Sequence, residues 1–208
     1  MKELRKDELQ VKIYPTRGEM GRAAAKDAGE YIRKQLKTQE TLNIIFAAAP
    51  SQNEFLDALK EDGEIEWNRI HAFHMDEYVG LPVGSEASFS GFLKNAIFDR
   101  VPFGSVSCIR GDNPDRQAEC ARYAKLLEEN PADIVFMGIG ENGHIAFNDP
   151  GAADFWDTSV VKVVELDDKC RQQQVNDGCF ASLDEVPRQA FTLTIPVLMR
   201  VGQLYGMV

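Results

Sequence analysis

The stretch DIVFMGIGENGHIAFNDPG, residues 133–151, begins as a buried strand and continues into a glycine-rich loop. Its residues 138–143 match the G-x-G-x-x-G pattern of dinucleotide-binding loops. In that role the loop must open a helix whose N-terminus binds the pyrophosphate. Here Pro150 and Gly151 follow too soon, leaving room for about two helical turns. The stretch therefore predicts a strand end in an α/β fold that binds no nucleotide.

Strands and helices alternate along the rest of the chain. Strands are predicted over residues 42–49, 70–76, 133–138, 160–166 and 191–195, and helices over 16–35, around 53–59, 89–98 and 113–128. This alternation predicts parallel strand–helix–strand units in one α/β domain, residues 1–208, built as a Rossmann-like three-layer sandwich around a mainly parallel sheet. Residues 204–208 resemble a strand that has just begun, which favours a chain truncated at its C-terminus over a short edge strand.

Two helix starts carry clear signals. Thr16 and Glu19 form a capping box, which predicts that a helix begins there. Asn113 is predicted to cap a second helix, with Pro114 at its first position.

Composition excludes several classes of function. The 208 residues carry 23 Lys and Arg against 33 Asp and Glu, a net charge of −10, which argues against a nucleic-acid partner. The chain has no apolar run of about 20 residues and begins with a polar segment, so we expect a cytoplasmic protein without membrane spans. Four cysteines without CxxC spacing and only three histidines predict idle thiols and no metal site or cofactor. The sequence is compatible with a homo-oligomer.

Three predicted strand ends carry unusual chemistry: AAPSQN (48–53), MDEYVG (75–80) and GIGENGH (138–144). Ligands of parallel sheets bind beyond the carboxyl ends of the strands. Neighbouring residues on an extended chain face opposite ways, so only one carboxylate of the Asp76–Glu77 pair should point into such a site. That carboxylate would be a competent general base. The alternative is a pair of solvated turn acids.

Each of the other polar candidates also has a purely structural alternative. His144 and Asp149 share one loop, where His144 could instead simply satisfy a backbone carbonyl. Ser51 stands at a helix start suited to an anion, and it could equally be a plain N-cap. Arg171 is a possible phosphate partner or an exposed helical arginine.

In this order the motifs resemble the glucosamine-6-phosphate deaminase/6-phosphogluconolactonase superfamily. The resemblance runs from AAPSQN through FHMDEYVGLP and MGIGENGHIAFNDPG to VPRQAFTLTIP, which is most of the chain. MDEYVGLP and GHIAFN followed by an acid and proline are specific for the deaminase branch. The lactonase branch typically has Thr after Gly-His and then a Ser-Leu-Phe-Pro run, which this sequence lacks.

The resemblance implies an isomerase and deaminase acting on an amino-sugar phosphate. By that resemblance Asp76 moves a proton between C2 and C1, and His144 opens the sugar ring with support from Asn142 and Asp149. The substrate contacts it implies are Ala49, Pro50, Ser51, Gln52, Glu77, Gly140, Gly143 and Arg171. The product would be a ketose phosphate, with ammonia released from C2.

Several residues depart from the family pattern. Asn142 replaces an aspartate, Asp149 replaces a glutamate, and the phosphate turn lacks the usual glycine and threonine. The segment around Arg171 is unlike the one that usually supplies a phosphate arginine, and a family lysine nearer the C-terminus has no counterpart. These departures leave glucosamine-6-phosphate and galactosamine-6-phosphate both open as substrates. A lactone hydrolase and a non-catalytic sugar-phosphate sensor are the alternative functions.

Overall fold

The computed structural model describes all residues from Met1 to Val208. The strands are β1 (Lys2–Lys6), β2 (Leu9–Ile13), β3 (Leu42–Phe46), β4 (Ile70–His74), β5 (Asp76–Tyr78), β6 (Ser105–Ser107), β7 (Ile134–Met137), β8 (Val161–Glu165), β9 (Gln189–Leu193) and β10 (Gln203–Gly206). The helices are α1 (Arg17–Gln35), α2 (Asn53–Lys60), α3 (Phe89–Leu93), α4 (Arg116–Glu129), α5 (Asp168–Asn176) and α6 (Ile195–Met199). Short 3-10 turns cover Pro50–Gln52, Trp67–Arg69 and Leu183–Glu185, and a π-helical turn, Lys94–Phe98, extends α3. None of the helices has the length and apolar character needed to span a bilayer.

The centre of the molecule is a five-stranded parallel sheet in the order β10-β7-β3-β4-β6. Side chains alternate across each strand, so both faces of the sheet are apolar. Ile44 and Phe46 of β3 pack with residues of α1 and α2 on one face. Ile45 packs with residues of α4 and α6 on the other face. The predicted three-layer α/β architecture with a parallel sheet is confirmed.

Two predicted strands belong to a different sheet. The central strand β9 pairs antiparallel with β5 on one side and with β8 on the other, in the order β5-β9-β8. The predicted strand over 70–76 correspondingly divides at Met75: β4 lies in the parallel sheet, and Asp76 opens β5 opposite Thr192 of β9. Hydrophobic runs identify strands but not their partners, which is why the sequence did not reveal this second sheet.

One of the two predicted helix caps is confirmed and the other is wrong. Thr16 Oγ1 accepts a hydrogen bond from Glu19 N at 3.2 Å at the start of α1. At the start of α4 the cap is Asp115, whose side chain accepts from Ala118 N at 2.9 Å. Asn113 lies before the cap and accepts from Asp115 N at 3.0 Å. Asn and Asp side chains both accept hydrogen bonds from backbone N–H groups, so either residue could cap the helix, and the predicted cap lay two residues too early.

The two ends of the chain also form strands. Residues 2–13 form an exposed antiparallel hairpin, β1-β2, which the charged N-terminal sequence did not predict. Residues 203–206 form β10, the edge strand that pairs with β7 in the parallel sheet.

Tyr123 of α4 fixes the carboxyl end of β4. Its ring is fully buried, and its hydroxyl accepts a hydrogen bond from His74 N at 3.0 Å. The same hydroxyl lies 2.9 Å from the carbonyl oxygen of His74 and 3.1 Å from that of Ser107, so its proton is also engaged. A single buried hydroxyl therefore joins α4, β4 and β6 two residues before Asp76.

Replacing Tyr123 by phenylalanine tests this anchor. Tyr123→Phe leaves the buried His74 N–H without a partner, and we expect the free energy of unfolding to fall by about 1–3 kcal/mol. Urea denaturation measures the change. Tyr205→Phe is the matched control, because its half-buried hydroxyl makes a longer bond of 3.3 Å to the Asp27 carbonyl. Equal losses in the two variants would contradict a special role for Tyr123.

Candidate active site

A cavity of about 350 Å³ lies where β3, β4 and β7 end. Its wall includes residues 47–51 after β3, Met75 and Asp76 after β4, and residues 138–140 after β7. This volume is within the range of small-molecule sites, roughly 300–1,000 Å³. The structure brings Asp76 and His144 together on this cavity. A second cavity, bounded by residues such as Lys94 and Arg122, contains none of the residues singled out from the sequence.

Asp76 is a buried carboxylate that faces the cavity. Only 6% of the residue is exposed, and its side chain lines the cavity without any hydrogen bond from the protein. Burial raises the pKa of Asp76 well above its usual range, and the neighbouring charge of Glu77 raises it further. A general base works best when its pKa approaches the operating pH. Asp76 is thus free to meet a ligand and suited to exchange protons with it.

Glu77 points away from the cavity, contrary to its expected role as a substrate contact. Its carboxylate accepts hydrogen bonds from the backbone N–H groups of Tyr78, Phe89 and Ser90 at 2.9–3.0 Å. Burial raises the pKa of Glu77, although these bonds oppose the shift. The alternation of β5 sends its side chain inward, opposite to Asp76. Glu77 instead holds the start of α3, where Ser88 and Phe89 form part of the cavity wall.

His144 lies in a hydrogen-bonded cluster with Asn142 and Asp149. The Asn142 side-chain oxygen lies 2.7 Å from His144 Nδ1 and accepts from His144 N at 3.1 Å. Its Nδ2 donates to Asp149 Oδ1 at 3.0 Å and to Asp167 Oδ2 at 3.3 Å, while Asp149 Oδ1 lies 3.4 Å from His144 Nδ1. Although burial opposes it, hydrogen bonds from His144 and Asn142 lower the pKa of Asp149. Asn142 thus bridges the histidine to two carboxylates.

This network fixes which nitrogen of His144 carries the proton. The two carboxylates require the Asn142 NH₂ group, so its oxygen must face His144 and can only accept. Nδ1 therefore donates, and Nε2 retains a lone pair for proton transfer in the neutral ring.

The two glycines differ in their roles. A Cβ on Gly140 would lie 2.1 Å from the His144 ring, so this position requires glycine for the close approach. Gly140 lines the cavity. Gly143 has a φ of 86° and no atom near its missing side chain, and it is absent from the cavity wall. Its role is therefore to form the turn, and the expected substrate contact is not seen.

The turn after β3 contains residues that line the cavity and one residue that holds them in place. Ala49, Pro50 and Ser51 line the cavity as a 3-10 turn that runs into α2. Gln52 is fully buried, and its Nε2 donates to Ser51 Oγ at 3.1 Å and to the Met137 carbonyl at 3.2 Å. Gln52 therefore supports Ser51 from behind and lies outside the cavity wall.

Arg171 does not reach the cavity, contrary to the expected phosphate contact. Its guanidinium is buried and donates to the carbonyl oxygens of Leu183 and Val186, with an ion pair to Asp168. Those carbonyls belong to the 3-10 turn and its end, so Arg171 anchors this segment to α5. Gln173 and Gln174 of α5 line the cavity in its place.

The structure adds residues that the sequence did not reveal. Arg17, at the first turn of α1, is the one Lys or Arg on the cavity wall, and Glu86, Ser88 and Phe89 form the wall near α3. No sequence motif marked them, because they come from segments that precede or follow the recognised strand ends. His74 is structural: its Nε2 accepts from Ile109 N at 2.9 Å, and burial lowers its pKa to about 4.

One group of side chains has spacing that could suit a metal ion. Ligand atoms of His144, Asp149 and Cys170 all lie within 4.8 Å of one another. Burial raises the pKa of the Cys170 thiol, which disfavours the thiolate that binds metals. Nδ1 of His144 is also occupied by Asn142. The cluster is therefore better suited to orienting the histidine.

Comparison with known proteins gives a consistent picture. Residues 15–204 match the family described as glucosamine-6-phosphate isomerases/6-phosphogluconolactonase. The chain is 34% identical over 182 residues to a glucosamine-6-phosphate deaminase of Listeria welshimeri, covering 88% of this chain and 75% of that protein. It is 36% identical over 145 residues to the deaminase of an Exiguobacterium species, covering 70% of this chain but only 55% of that relative.

Solved structures show the same fold. A monomeric glucosamine-6-phosphate deaminase superimposes with a TM-score of 0.81 at 26% identity, covering 92% of this chain and 78% of that one. The 6-phosphogluconolactonase of Trypanosoma brucei superimposes with a TM-score of 0.73 at 18% identity, covering 94% and 80%. The second likeness concerns the fold alone.

Removing the charge of Asp76 should stabilise the protein at neutral pH. Because the folded-state pKa of Asp76 is raised, the wild type loses stability as pH rises from the unfolded value of about 3.9 through the folded value. Asp76→Asn lacks this loss, so we expect its advantage in free energy of unfolding to be larger at pH 8 than at pH 4. Urea denaturation at both pH values measures it, with the exposed Asp112→Asn as control. An advantage that does not grow with pH contradicts the burial effect.

Introducing a carboxylate at position 142 should move the pH–rate profile. Asn142→Asp places a negative charge beside His144 Nδ1 and next to Asp149 and Asp167, which favours proton uptake by the cluster. We expect the histidine-linked limb of kcat/KM to move to higher pH. The control is Glu141→Gln, which changes an exposed charge in the same loop. A limb that stays in place or moves down would show that the Asn142–His144 contact does not govern it.

Proposed function

The chain belongs to the glucosamine-6-phosphate isomerase/6-phosphogluconolactonase family, and from this we propose that it is an amino-sugar-phosphate isomerase/deaminase. Its substrate is a hexosamine 6-phosphate, either glucosamine-6-phosphate or galactosamine-6-phosphate, and its products are a ketose phosphate and ammonia. The observation that carries the proposal is the shared cavity of Asp76 and His144, one a base without a protein partner and the other held by Asn142.

His144 supports the ring-opening step. Its Nε2 lone pair takes the proton of the anomeric hydroxyl, and the resulting imidazolium gives that proton to the sugar ring oxygen as the C1–O5 bond breaks. Asn142 keeps Nδ1 protonated throughout, and Asp149 stabilises the positive charge that forms on the imidazole of His144. The open-chain aldehyde is then available for isomerisation.

Asp76 supports the proton transfer that follows. Its carboxylate removes the proton from C2, and the electron pair forms the enolamine between C1 and C2. The same proton returns to C1, while O1 gains a proton and the C2 nitrogen loses one, which leaves a hydroxyl on C1 and an imine at C2. Water adds to this imine and releases ammonia, so the overall reaction consumes one water and is hydrolytic in its last step. The raised pKa of Asp76 suits both removal and return of the proton.

The cavity also suits the rest of the substrate. The turn Ala49–Ser51 lies at the start of a helix and lines the cavity. A helix start favours negative charge, so this turn suits the phosphate. The four cysteines are free thiols, which supports our proposal of a cytoplasmic location.

Ammonia release from purified protein is the direct test. We expect release from glucosamine-6-phosphate or galactosamine-6-phosphate and no acid release from 6-phosphogluconolactone. Acid release from the lactone alone would assign the lactonase function. Binding of the sugar phosphates without turnover would assign a sensor. Each result identifies a different one of the three functions.

Asp76→Asn tests the role of the base. Without the carboxylate we expect kcat to fall by about 100-fold or more, since general-base catalysis contributes roughly that much. KM should change little if the group acts mainly in the transition state. Asp112→Asn removes an exposed carboxylate outside this cavity and should retain full turnover. Near wild-type turnover by Asp76→Asn would refute the assignment.

A further inference from the structure

We propose that Arg17 is the residue that pairs with the phosphate in this cavity, held in position by Glu54 and the carbonyl oxygen of Pro50. The inference rests on the proposed function, because it names the cation that binds the phosphate of that substrate. It replaces the assignment of Arg171, whose guanidinium is buried elsewhere.

The cavity wall is acidic, so binding of a phosphate requires a positive side chain on it. Three carboxylates line the cavity, those of Asp76, Glu86 and Asp177, against Arg17 as the one Lys or Arg. A phosphate monoester carries a charge of about −1.5 to −2 at neutral pH. Near these carboxylates it would be repelled unless a positive group stood beside it. Arg17 is the permanent positive charge that the wall supplies.

Arg17 lies beside the turn that suits an anion. Its Nη2 donates to the Pro50 carbonyl at 2.5 Å, one residue before Ser51. Ser51 Oγ accepts from Gln52 Nε2 at 3.1 Å, which leaves its own hydroxyl proton to donate. The guanidinium, the serine hydroxyl and the start of α2 therefore meet at one end of the cavity.

Glu54 orients the guanidinium without using all of its donors. Arg17 Nε and Nη2 lie 2.8 Å from the two carboxylate oxygens of Glu54, a two-pronged pair. The hydrogen bond from Arg17 lowers the pKa of Glu54, so the carboxylate stays ionised. Of the five N–H donors of an arginine, the two on Nη1 make no hydrogen bond in the structure. Those two donors are free for a phosphate.

A purely structural role explains this arrangement less well. The Arg17 side chain is 57% exposed, and exposed ion pairs contribute only about 0–1 kcal/mol to stability. A structural pair between α1 and α2 would not need to lie on a cavity wall. Loss of Arg17 should accordingly affect anion binding much more than folding.

Inorganic phosphate is the probe for the test, because its binding does not depend on turnover. The dissociation constant is measured by isothermal titration on wild type, Arg17→Gln, Arg17→Lys and Arg22→Gln. A charge-assisted hydrogen bond is worth about 1.5–3 kcal/mol, so Arg17→Gln should weaken phosphate binding about 10- to 150-fold. Arg17→Lys keeps the charge and should weaken it less. Arg22→Gln removes an exposed arginine of the same helix outside the cavity and should bind as the wild type does.

Kinetics give a second readout. We expect Arg17→Gln to raise KM for the hexosamine 6-phosphate by a similar factor, with kcat changed much less, and to leave kcat/KM for the unphosphorylated hexosamine unchanged. Phosphate affinity and KM equal to wild type in Arg17→Gln would overturn the inference. If the wild type releases no ammonia but phosphate binding still depends on Arg17, the anion site stands and the proposed function fails. Urea denaturation confirms that each variant is folded.

Discussion

The alternation of side chains along β5, Asp76–Tyr78, is the constraint on which the site depends. The chain leaves the parallel sheet at His74 and enters the antiparallel sheet at Asp76, with Met75 as the link between the two sheets. Because successive side chains face opposite ways, Asp76 turns to the cavity and Glu77 turns to the interior. The interior carboxylate then receives three backbone N–H groups and fixes the cavity wall at α3. A one-residue slip would exchange the base and the anchor.

The two buried carboxylates of the site, Asp76 and Asp149, lie in opposite electrostatic environments. The Asp76 carboxylate accepts no hydrogen bond from the protein, and burial makes its charge costly, which suits the proposed role of accepting and returning a proton. Asp149 is also buried, but donors from His144 and Asn142 keep it ionised. Asn142 separates that carboxylate from Asp167 by donating to both. An amide at this position thus binds two acids that would otherwise repel each other.

Much of this arrangement could be predicted from the sequence, and there are physical reasons why the remainder could not. Apolar runs followed by polar residues located the strand ends, and with them the cavity of Asp76 and His144. Pairing between distant strands is not encoded in a local pattern, so the second sheet built on β9 was missed. Arg171 and Glu77 are the right residue types for binding, yet tertiary contacts with backbone groups occupy both. Arg17 lies inside the Thr16–Glu19 capping box, which marks only a helix start, and its place on the cavity wall depends on the packing of α1 against α2.

The cavity wall is divided between strand ends and helix starts, which bears on how the substrate specificity of such a protein can evolve. The side chains suited to proton transfer stand at the ends of β4 and β7, while Arg17 and the Ala49–Ser51 turn belong to α1 and the start of α2. In the proposed function, chemistry and recognition thus belong to two modules, the strand ends and the helix starts, that face each other across the cavity. The helical module can be rebuilt for a different anion or chain length while the reacting groups keep their positions. In directed evolution, the helix starts are therefore the part of the molecule at which new substrates can be selected without sacrificing the reaction.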